Sequence, residues 1–257
     1  MTLKEKTDAG IPTNMRLLMV LEELARVGVP ITPTEANVQL GLPKPTVHRL
    51  FHTLEAEGFV QRDIDGRSFS PGRRLRKLSV NVLSSLRVRT VRLSILQALA
   101  EEVGETCNIA TPDRDAMVYL DRVETKWPLR IQLPVGTAVP FACTASGKMY
   151  LSSLLPTHLD RYLATTKLVA RAPKTISSAD ALRREIELIR KHGYATDQEE
   201  FMENMVAVAV PIRDDQGRLV STLSIHAPVQ RLSLDDLLGH LPRLTRAASE
   251  LSELLLQ

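Results

Sequence analysis

Residues 41–60 read GLPKPTVHRLFHTLEAEGFV, and this stretch decides how the first third of the chain folds. Its apolar residues recur at the i, i+3, i+4 and i+7 positions of one helical face: Val47, Leu50, Phe51 and Leu54. Such a face needs a core to pack against. Taken alone, the segment has the pattern of a surface helix with one buried face and one solvated face.

The two prolines of this stretch mark the start of the helix. Pro43 and Pro45 each keep the preceding residue out of the α region, which favours Lys44 as N-cap and Pro45 as the first helical residue. No hydrogen bond is lost there, because the first backbone N–H groups of a helix have no partner within it. Gly58 tolerates the left-handed conformation, so the helix is predicted to end beside it.

The sequence before this helix predicts two further helices. Apolar residues at helical spacing predict a first helix over residues 15–27. A second helix should begin after Thr32, because Pro33 and Glu35 follow it with the spacing of a capping box. Residues 1–13 have no periodicity and are predicted to form a flexible arm. The second and third helices are joined by a short turn, which is the helix-turn-helix arrangement.

A predicted β-hairpin follows the third helix. Two short alternating segments, residues 59–62 and 67–70, flank an Asp65–Gly66 turn. A hairpin in this position is a wing. The sequence therefore predicts a winged helix-turn-helix DNA-binding domain, rich in α-helix, over residues 14–72.

Double-stranded DNA is the natural partner for the polar face of the third helix. The residues predicted to contact DNA are Lys44, Pro45, Thr46, His48, Arg49 and His52 of the helix and Arg67 of the hairpin. In such motifs the N-terminal part of the second helix of the motif reaches base edges in the major groove. We assign Arg49 to a guanine edge and Thr46 to a thymine methyl group or a phosphate. Lys44 and Arg67 should hold the DNA backbone.

The distribution of charge agrees with this partner. Residues 1–90 contain 14 Lys and Arg against 9 Asp and Glu, whereas the remaining residues contain 19 against 21. The positive excess is steepest in GRRLRK, residues 72–77. Such a cluster has the charge to meet phosphates, although a solvated charge run is the commoner explanation of any such cluster.

Length and cysteine usage bound the class of protein. A chain of 257 residues suits two domains. Cys107 and Cys143 are too few for a disulfide framework, and no apolar run approaches the roughly 18 residues of a membrane span. Without a secretory signal pattern either, we expect a cytoplasmic protein with no membrane partner.

The remainder of the chain predicts a linker helix and a second, α+β domain with an antiparallel sheet. Helical spacing through residues 73–103 predicts a linker helix over 73–89, followed by a domain over 90–257. Strands are predicted at CNIATP, MVYLDRV, LRIQL, VAVAVPI and LVSTLSIHAP, with the DDQG turn (214–217) joining the last two. Helices are predicted at about 145–155, 157–165, 179–192 and 233–256.

Four stretches carry a family resemblance: GETCNIATPDRDAMVYLDRVE, TASGKMYLSSL, GYATDQEEF and VAVPIRDDQGRLVSTLSIHAP. With the winged helix-turn-helix, they resemble the IclR family of bacterial transcription regulators over nearly the whole chain. The resemblance implies a GAF-like C-terminal domain that binds a small effector and forms oligomers. It also implies a homodimer or homotetramer on a palindromic operator, no cofactor, and either repression or activation.

The resemblance also implies where the effector binds. The family's pocket is lined by a small-residue turn, an aspartate and the last strands, which here are Thr144, Ala145, Ser146, Gly147, Asp197, Ala207, Ser224 and His226. A TASG turn that enters a helix offers backbone N–H groups to a carboxylate. Glu199 and Glu200, which follow the aspartate, are interpreted as an acidic pair on the surface.

Three positions depart from the family's pattern. Ala142 stands where many relatives have a histidine, Ala207 where a cysteine is frequent, and His226 where the last strand has its second serine. Two polar groups are lost and one larger polar group is gained, which favours a roomier, partly apolar pocket with His226 as a polar anchor. Aromatic or other medium-sized organic acids suit such a pocket. The sequence therefore predicts a regulator of a catabolic operon that senses a small organic acid.

A cysteine-dependent or metal-dependent enzyme domain is the competing prediction. Cys143 in its small-residue turn is a candidate nucleophile, but no base adjoins it in sequence, and a buried thiol is favoured. The histidines are scattered and form no metal-binding motif: His48, His52, His158, His192, His226 and His240. We therefore expect no catalytic residue and no metal ligand. A third alternative, an interaction module without a ligand, requires a C-terminal domain without a cavity.

Overall fold

The computed structural model describes residues 11–63, 65–83 and 86–254. The chain divides into two compact units, which meet in sequence between residues 85 and 86. Most of the arm predicted for residues 1–13 lies outside the described residues, and Thr13 already begins a helix.

The first unit contains helices followed by a hairpin and a further helix. Its elements are α1 (Thr13–Val27), α2 (Pro33–Leu40), α3 (Lys44–Ala56), β1 (Val60–Arg62), β2 (Phe69–Pro71) and α4 (Arg73–Leu83). One core holds α1, α2, α3 and the hairpin together: Val20, Leu24, Ile31, Ala36, Val47, Leu50, Phe51, Leu54, Val60 and Phe69. The buried face predicted for α3 is confirmed, because all four of its apolar residues belong to this core.

α3 begins one residue earlier than predicted. Pro43 is the N-cap, and its carbonyl accepts hydrogen bonds from the N–H groups of Thr46 (2.8 Å) and Val47 (3.2 Å). Lys44 is therefore already helical and is not the N-cap. Pro45 becomes the second helical residue and still lies in the first turn, where its missing N–H costs nothing.

The predicted end of α3 is confirmed. Gly58 has φ +72°. Its N–H donates to the carbonyl of Glu55 at 3.0 Å, and the N–H of Phe59 donates to the carbonyl of Leu54 at 2.8 Å. These two bonds form a Schellman motif, which satisfies carbonyls at the helix end and turns the chain into β1.

The hairpin is tied to the start of α2. The capping box predicted there is confirmed, since Thr32 Oγ1 accepts from the Glu35 N–H (3.3 Å) and the Glu35 carboxylate accepts from the Thr32 N–H (2.7 Å). Immediately before it, Ile31 exchanges two backbone hydrogen bonds with Phe69 of β2, at 3.1 and 2.8 Å. The position of the hairpin is thereby fixed relative to the helices.

The second unit is an α+β domain with an antiparallel sheet, as predicted. Its elements are α5 (Leu86–Val103), β3 (Thr106–Asp113), β4 (Ala116–Val123), β5 (Ala138–Pro140), α6 (Ala145–Ser153), α7 (Pro156–Thr165), α8 (Ala179–His192), β6 (Ala195–Gln198), β7 (Met205–Arg213), β8 (Leu219–Pro228), α9 (Leu234–Leu238) and α10 (Leu241–Leu254). The strand order is β5-β4-β3-β8-β7-β6. Helices α5, α9 and α10 pack on one face of the sheet, and α6, α7 and α8 pack on the other.

The strand predicted at LRIQL, residues 129–133, was wrong. This segment is irregular, and the edge strand β5 comes later. The carbonyl of Ile131 accepts a hydrogen bond from the guanidinium of Arg122 instead of from a neighbouring strand. Strand β6 was not predicted, because its residues ATDQ form no apolar run. They are recognisable as a strand only from their pairing with β7.

The single helix predicted over residues 233–256 was also wrong. Pro242 in a continuous helix would lack the N–H that bonds the carbonyl of Leu238, and its ring would clash with that carbonyl. α9 therefore ends at Leu238, and α10 begins at Leu241 with Pro242 in its first turn. α5 begins at Leu86, inside the range expected for the linker helix.

Candidate functional site

Two adjoining grooves of the first unit bring together predicted DNA-contacting residues. Lys44 and His48 line a groove between α2 and α3. His48, His52 and Arg67 line a second groove, between these helices and the hairpin. Because His48 borders both grooves, Lys44 and Arg67 lie on one continuous surface that includes the start of α3 and the wing.

The other predicted DNA contacts also lie at the start of α3. Pro45 and Arg49 are exposed and are one helical turn apart, and Thr46 between them is partly buried. Core packing uses the opposite face of the helix, as the burial of Val47 and Leu50 requires. The exposed side chains of Pro45 and Arg49 therefore take no part in the core of the unit.

Arg62 fixes the wing to α3. Its guanidinium bonds the carboxylate of Glu55 at 2.8 and 3.1 Å and the carbonyl of Gly66 at 3.0 Å. It also lies over the ring of Phe69, 4.7 Å from the centroid. Asp65 holds the turn by accepting hydrogen bonds from backbone N–H groups that follow it. The wing is thus held at a set position beside the helix.

Several cations of this surface are free of internal partners. Within residues 11–63, 65–83 and 86–254, Lys44, Arg49 and Arg67 make no ion pair and no side-chain hydrogen bond. By contrast, Arg62 is engaged as described above, and Arg74 of the basic cluster pairs with the carboxylate of Glu57 at 2.8 Å. Unpaired, exposed cations are the groups that phosphates and guanine edges attract.

In the second unit, the predicted effector residues of the strands lie on one face of the sheet. Asp197 of β6 pairs with Ala207 of β7, which pairs with His226 of β8. Directly opposed residues point to the same side, and so does Ser224, two residues before His226. Ala207 belongs to the core cluster of α6, α7 and α8, so this is the face that those helices cover.

The start of α6 meets this face. Thr144 is the N-cap, and its Oγ1 accepts from the Gly147 N–H (3.1 Å) and donates to the carbonyl of Pro140 (2.7 Å). The Gly147 N–H is therefore already bonded, contrary to the prediction that the turn offers it to a ligand. The N–H groups of Ala145 and Ser146 occupy the first two helical positions, which have no partner within a helix.

A short polar chain connects α6 to the last strand. Ser146 Oγ lies 3.4 Å from Ser224 Oγ, which lies 3.0 Å from Nε2 of His226. The His226 ring meets the ring of Tyr119 edge-on, with 6.3 Å between centroids. Burial, together with the nearby charge of Arg122, lowers the pKa of His226 to about 3. His226 is therefore a neutral imidazole at pH 7, able to donate or accept a hydrogen bond.

Asp197 lies at the far end of the row of paired residues that runs from His226 through Ala207. Burial raises its pKa to about 7, although its Oδ1 accepts hydrogen bonds from the N–H groups of Glu200 (2.8 Å) and Phe201 (3.4 Å), which lower the pKa. Near pH 7 both the neutral and the charged form of its carboxyl group are consequently populated. A protonated carboxyl group is a hydrogen-bond donor as well as an acceptor.

The interpretation of Glu199 and Glu200 as a surface pair was wrong for Glu200. Glu200 is buried and bonds the ammonium of Lys148, which is fully buried and also pairs with Glu185 at 3.0 Å. Burial raises the pKa of Glu200, and Lys148 opposes that shift. Glu199 lies nearer the surface and pairs with Lys174. The buried ion pairs connect the segment after β6 with α6 and α8.

Sequence reasoning missed two polar residues on the same face. Asn108 of β3 pairs with Ser224 of β8 on one side and with Arg122 of β4 on the other. Arg122 Nη1 donates to Asn108 Oδ1 at 2.9 Å, and only 3 % of the Arg122 side chain is exposed. The available signal was an asparagine between the apolar residues Cys107 and Ile109 of a strand.

The cysteines lack the features of a catalytic nucleophile. Cys143 is buried, and burial raises the pKa of its thiol to about 11, so the reactive thiolate is scarce at neutral pH. Burial likewise raises the pKa of Cys107. Among the residues that the structure describes, no three His, Cys, Asp or Glu side chains are grouped to hold a metal ion.

Comparison with known proteins decides the family. A model of the C-terminal region of the bacterial transcriptional regulator IclR matches residues 80–253, and one of the IclR helix-turn-helix domain matches residues 15–63. The chain belongs to the IclR family of bacterial transcriptional regulators. The predicted resemblance is thus confirmed, and members of this family are regulators, not enzymes.

Individual relatives extend over both units. The chain is 38% identical over 237 residues to the probable transcriptional regulator SauR of Cupriavidus necator, covering 92% of this chain and 94% of that protein. The IclR structure from Thermotoga maritima matches with a TM-score of 0.63 and 28% identity, over 94% and 97% of the two chains. An IclR homolog from Microbacterium hydrocarbonoxydans, complexed with 4-hydroxybenzoate, shares the fold with a TM-score of 0.61 at 24% identity, over 95% and 99%.

As an IclR-family protein, the chain is a DNA-binding transcription regulator with a helix-turn-helix. The competing prediction of a cysteine-dependent or metal-dependent enzyme is therefore discarded. No helix in the described part of the chain is both long and apolar enough to cross a membrane.

Proposed function

We propose that this regulator controls a catabolic operon in response to a small organic acid. The observation that carries the proposal is the meeting of the α6 N-terminus with the Ser146–Ser224–His226 chain on one buried face. Helix N-termini favour anions, and hydroxyl and imidazole groups add directional hydrogen bonds. A carboxylate is the small anionic group that fits this combination of donors.

In the DNA-binding half, the start of α3 reads the operator. Arg49 contacts a guanine edge and Thr46 a thymine methyl group or a phosphate, while Pro45, His48 and His52 complete the face presented to the major groove. Lys44 and Arg67 contact phosphates on either side. The absence of internal partners for the three cations among the described residues supports these roles.

In the effector-binding half, each predicted residue takes a distinct role. Thr144 and Gly147 shape the turn, because their polar groups are already bonded to each other. The N–H groups of Ala145 and Ser146 receive the carboxylate. Ser224 and His226 orient it, Ala207 leaves room above the sheet, and Asp197 bonds a polar group at the far end of the ligand.

An aromatic or other medium-sized acid is the effector that this arrangement favours. The side chains of Ala142 and Ala207 are small, and the rings of Tyr119 and His226 border the same face. The Microbacterium homolog complexed with 4-hydroxybenzoate has the same fold, so the fold itself accommodates an acid of this size.

The proposed organisation assigns one task to each part of the chain. Residues 14–72 bind DNA, residues 73–89 link, and residues 90–257 bind the effector and form a homodimer or homotetramer. Paired DNA-binding domains recognise a palindromic operator, as two-fold symmetry requires. The effector changes the spacing of these domains through the linkers, so that its binding and operator binding are thermodynamically coupled.

A ligand-dependent thermal-shift screen tests the effector half. The full chain is screened against aromatic and aliphatic acids, together with His226→Ala, Asp197→Ala and, as control, the exposed Lys191→Ala. One acid class should raise the melting temperature of the wild type and of the control, and either site substitution should abolish the shift. Equal shifts in all four proteins, or no shift with any acid, would contradict the proposed site.

A further inference from the structure

Asn108 is a fully buried amide that has one donor atom without a partner. Its Oδ1 accepts a hydrogen bond from Nη1 of Arg122 at 2.9 Å. Because a guanidinium group can only donate, the oxygen must be the amide atom that faces Arg122, which fixes the orientation of the amide. Nδ2 is then turned away from Arg122, and it has no hydrogen-bond partner among the described residues. Buried donors are rarely left unpaired, and this one is available to an acceptor that is not part of the chain.

The unpaired donor lies beside the proposed effector site. Asn108 is directly opposite Ser224 on the neighbouring strand, so the two side chains share a face of the sheet. Ser224 in turn bonds His226 and lies close to Ser146 at the start of α6. One strand spacing, about 5 Å, therefore separates Asn108 from Ser224, which is proposed to orient the carboxylate.

The surroundings of Asn108 favour an oxygen acceptor in the ligand. The buried guanidinium of Arg122 brings positive charge, only partly offset by Glu124 at 3.1 Å. His226 is neutral, and Asp197 lies on β6, three strands away from β3. A ligand oxygen, neutral or anionic, would thus meet both the Asn108 donor and the nearby cation.

We propose, resting on the proposed function, that Asn108 is a specificity-determining residue for the effector. Its Nδ2 donates to a second oxygen of the organic acid, one strand away from Ser224, which orients the carboxylate. The effector class is therefore an acid with two separated oxygen groups, such as a short dicarboxylate or a hydroxy acid. A plain monocarboxylate leaves Nδ2 buried and unpaired, and it binds more weakly for that reason.

Matched pairs of acids test this inference. Binding to the full chain is measured by calorimetry for succinate against butanoate and for 3-hydroxybenzoate against benzoate. The variant Asn108→Asp keeps an oxygen for Arg122 but replaces the N–H donor by an acceptor, and Asn108→Leu removes both polar atoms at similar volume. Gln216→Glu, on the exposed turn between β7 and β8, is the control for added negative charge.

In at least one pair, the wild type and Gln216→Glu should bind the two-oxygen acid about tenfold or more tightly than its partner. Asn108→Asp should lose this preference. If Asn108→Asp fails to fold, Asn108→Leu provides the test and should show the same loss. Equal affinity for both acids in the wild type, or an unchanged preference in the Asn108 variants, would overturn the role of Asn108 while leaving the proposed function standing. No binding of any of the four acids to the wild type would overturn both.

Discussion

Because His226 is buried as a neutral imidazole, lowering the pH should decrease the stability of the second unit. Its pKa of about 3 lies below the ordinary value of 6.5. The folded state therefore binds fewer protons than the unfolded state between these values, and stability falls as pH is lowered through that window. At pH 5 the loss amounts to about 2 kcal/mol by this linkage.

Replacing His226 by glutamine should remove this acid sensitivity, because an amide keeps hydrogen-bonding atoms but does not titrate. The chain's single tryptophan, Trp127, lies in the second unit, so its fluorescence reports the unfolding of that unit. Between pH 7 and 5 the midpoint of thermal unfolding should fall further in the wild type than in His226→Gln. Parallel pH profiles for the two proteins would refute the buried neutral state.

Asp197 should show the opposite dependence on pH. Its pKa of about 7 exceeds the ordinary value of 3.8, so the folded state binds more protons than the unfolded state between these values. Stability contributed by the neutral carboxyl group is present below pH 3.8 and is lost as pH rises to 7. Asp197→Asn should therefore gain in unfolding temperature over the wild type as pH rises from 5 to 8.

The exposed Asp215→Asn, on the turn between β7 and β8, provides a matched control for this experiment. It removes the same charge at a position where solvent screens it, so its difference from the wild type should stay nearly constant with pH. A constant difference for Asp197→Asn as well would mean that Asp197 is ionised throughout this range.

Among the structural elements, the start of α6 depends on a close approach that only glycine permits. A Cβ atom on Gly147 would lie 2.3 Å from Cα and 2.4 Å from the carbonyl oxygen of Phe141, both backbone atoms that cannot turn aside. Gly147→Ala should destabilise the second unit by about 1–3 kcal/mol or more. Urea unfolding followed at Trp127 measures the loss. Ser153→Ala, at the exposed end of α6, should change stability by less than about 0.5 kcal/mol.

At the element that contacts DNA, phosphate contacts and base contacts should behave differently. Lys44→Ala should weaken binding to all DNA sequences alike and reduce the slope of log affinity against log salt by about 1. Fluorescence anisotropy with operator and unrelated duplexes, at several salt concentrations, measures both effects. Lys191→Ala on α8 removes an equal charge from the second unit and should leave the slope unchanged. A Lys44→Ala slope equal to that of the wild type would remove Lys44 from the phosphate contacts.

The elements differ in how far the sequence could predict them. Periodicity and the glycine stop sufficed for the buried face and the end of α3, because Val47 and Leu50 face a core while Gly58 stops the helix locally. The start of α3 was misplaced by one residue, because Pro43 and not Lys44 is the N-cap. The error at residues 129–133 arose because the carbonyl of Ile131 bonds the side chain of Arg122 and not a neighbouring strand. Apolar runs alone cannot distinguish that arrangement from a strand.

The candidate effector site was predictable in part, for a related reason. The family's motifs pointed to Ser146, Ser224 and His226, and the structure brings these three together. Asn108 escaped prediction because its significance lies in an unpaired atom, which depends on the partner that its other atom finds in β4. Hydrogen-bond satisfaction is a property of three-dimensional contacts and has no sequence pattern of its own.

For the whole molecule, the first unit carries the helix-turn-helix, and the second unit carries the proposed effector site. The first unit offers unpaired cations on α3 and the wing, and the second buries neutral and charged polar groups between a sheet and α6. Membership of the IclR family joins the two as parts of one transcription regulator. Operator selectivity is then expected to reside in α3, whatever the effector.

Selection of bound sequences from random double-stranded DNA tests this central claim most directly. The wild-type chain should enrich an inverted repeat, since the proposed dimer would present two recognition helices to two half-sites. Arg49→Ala should still bind DNA but should lose the guanine preference at one position of each half-site, with discrimination falling by about 1–3 kcal/mol there. Enrichment of the same motif by Arg49→Ala, or of no motif by the wild type, would contradict the account.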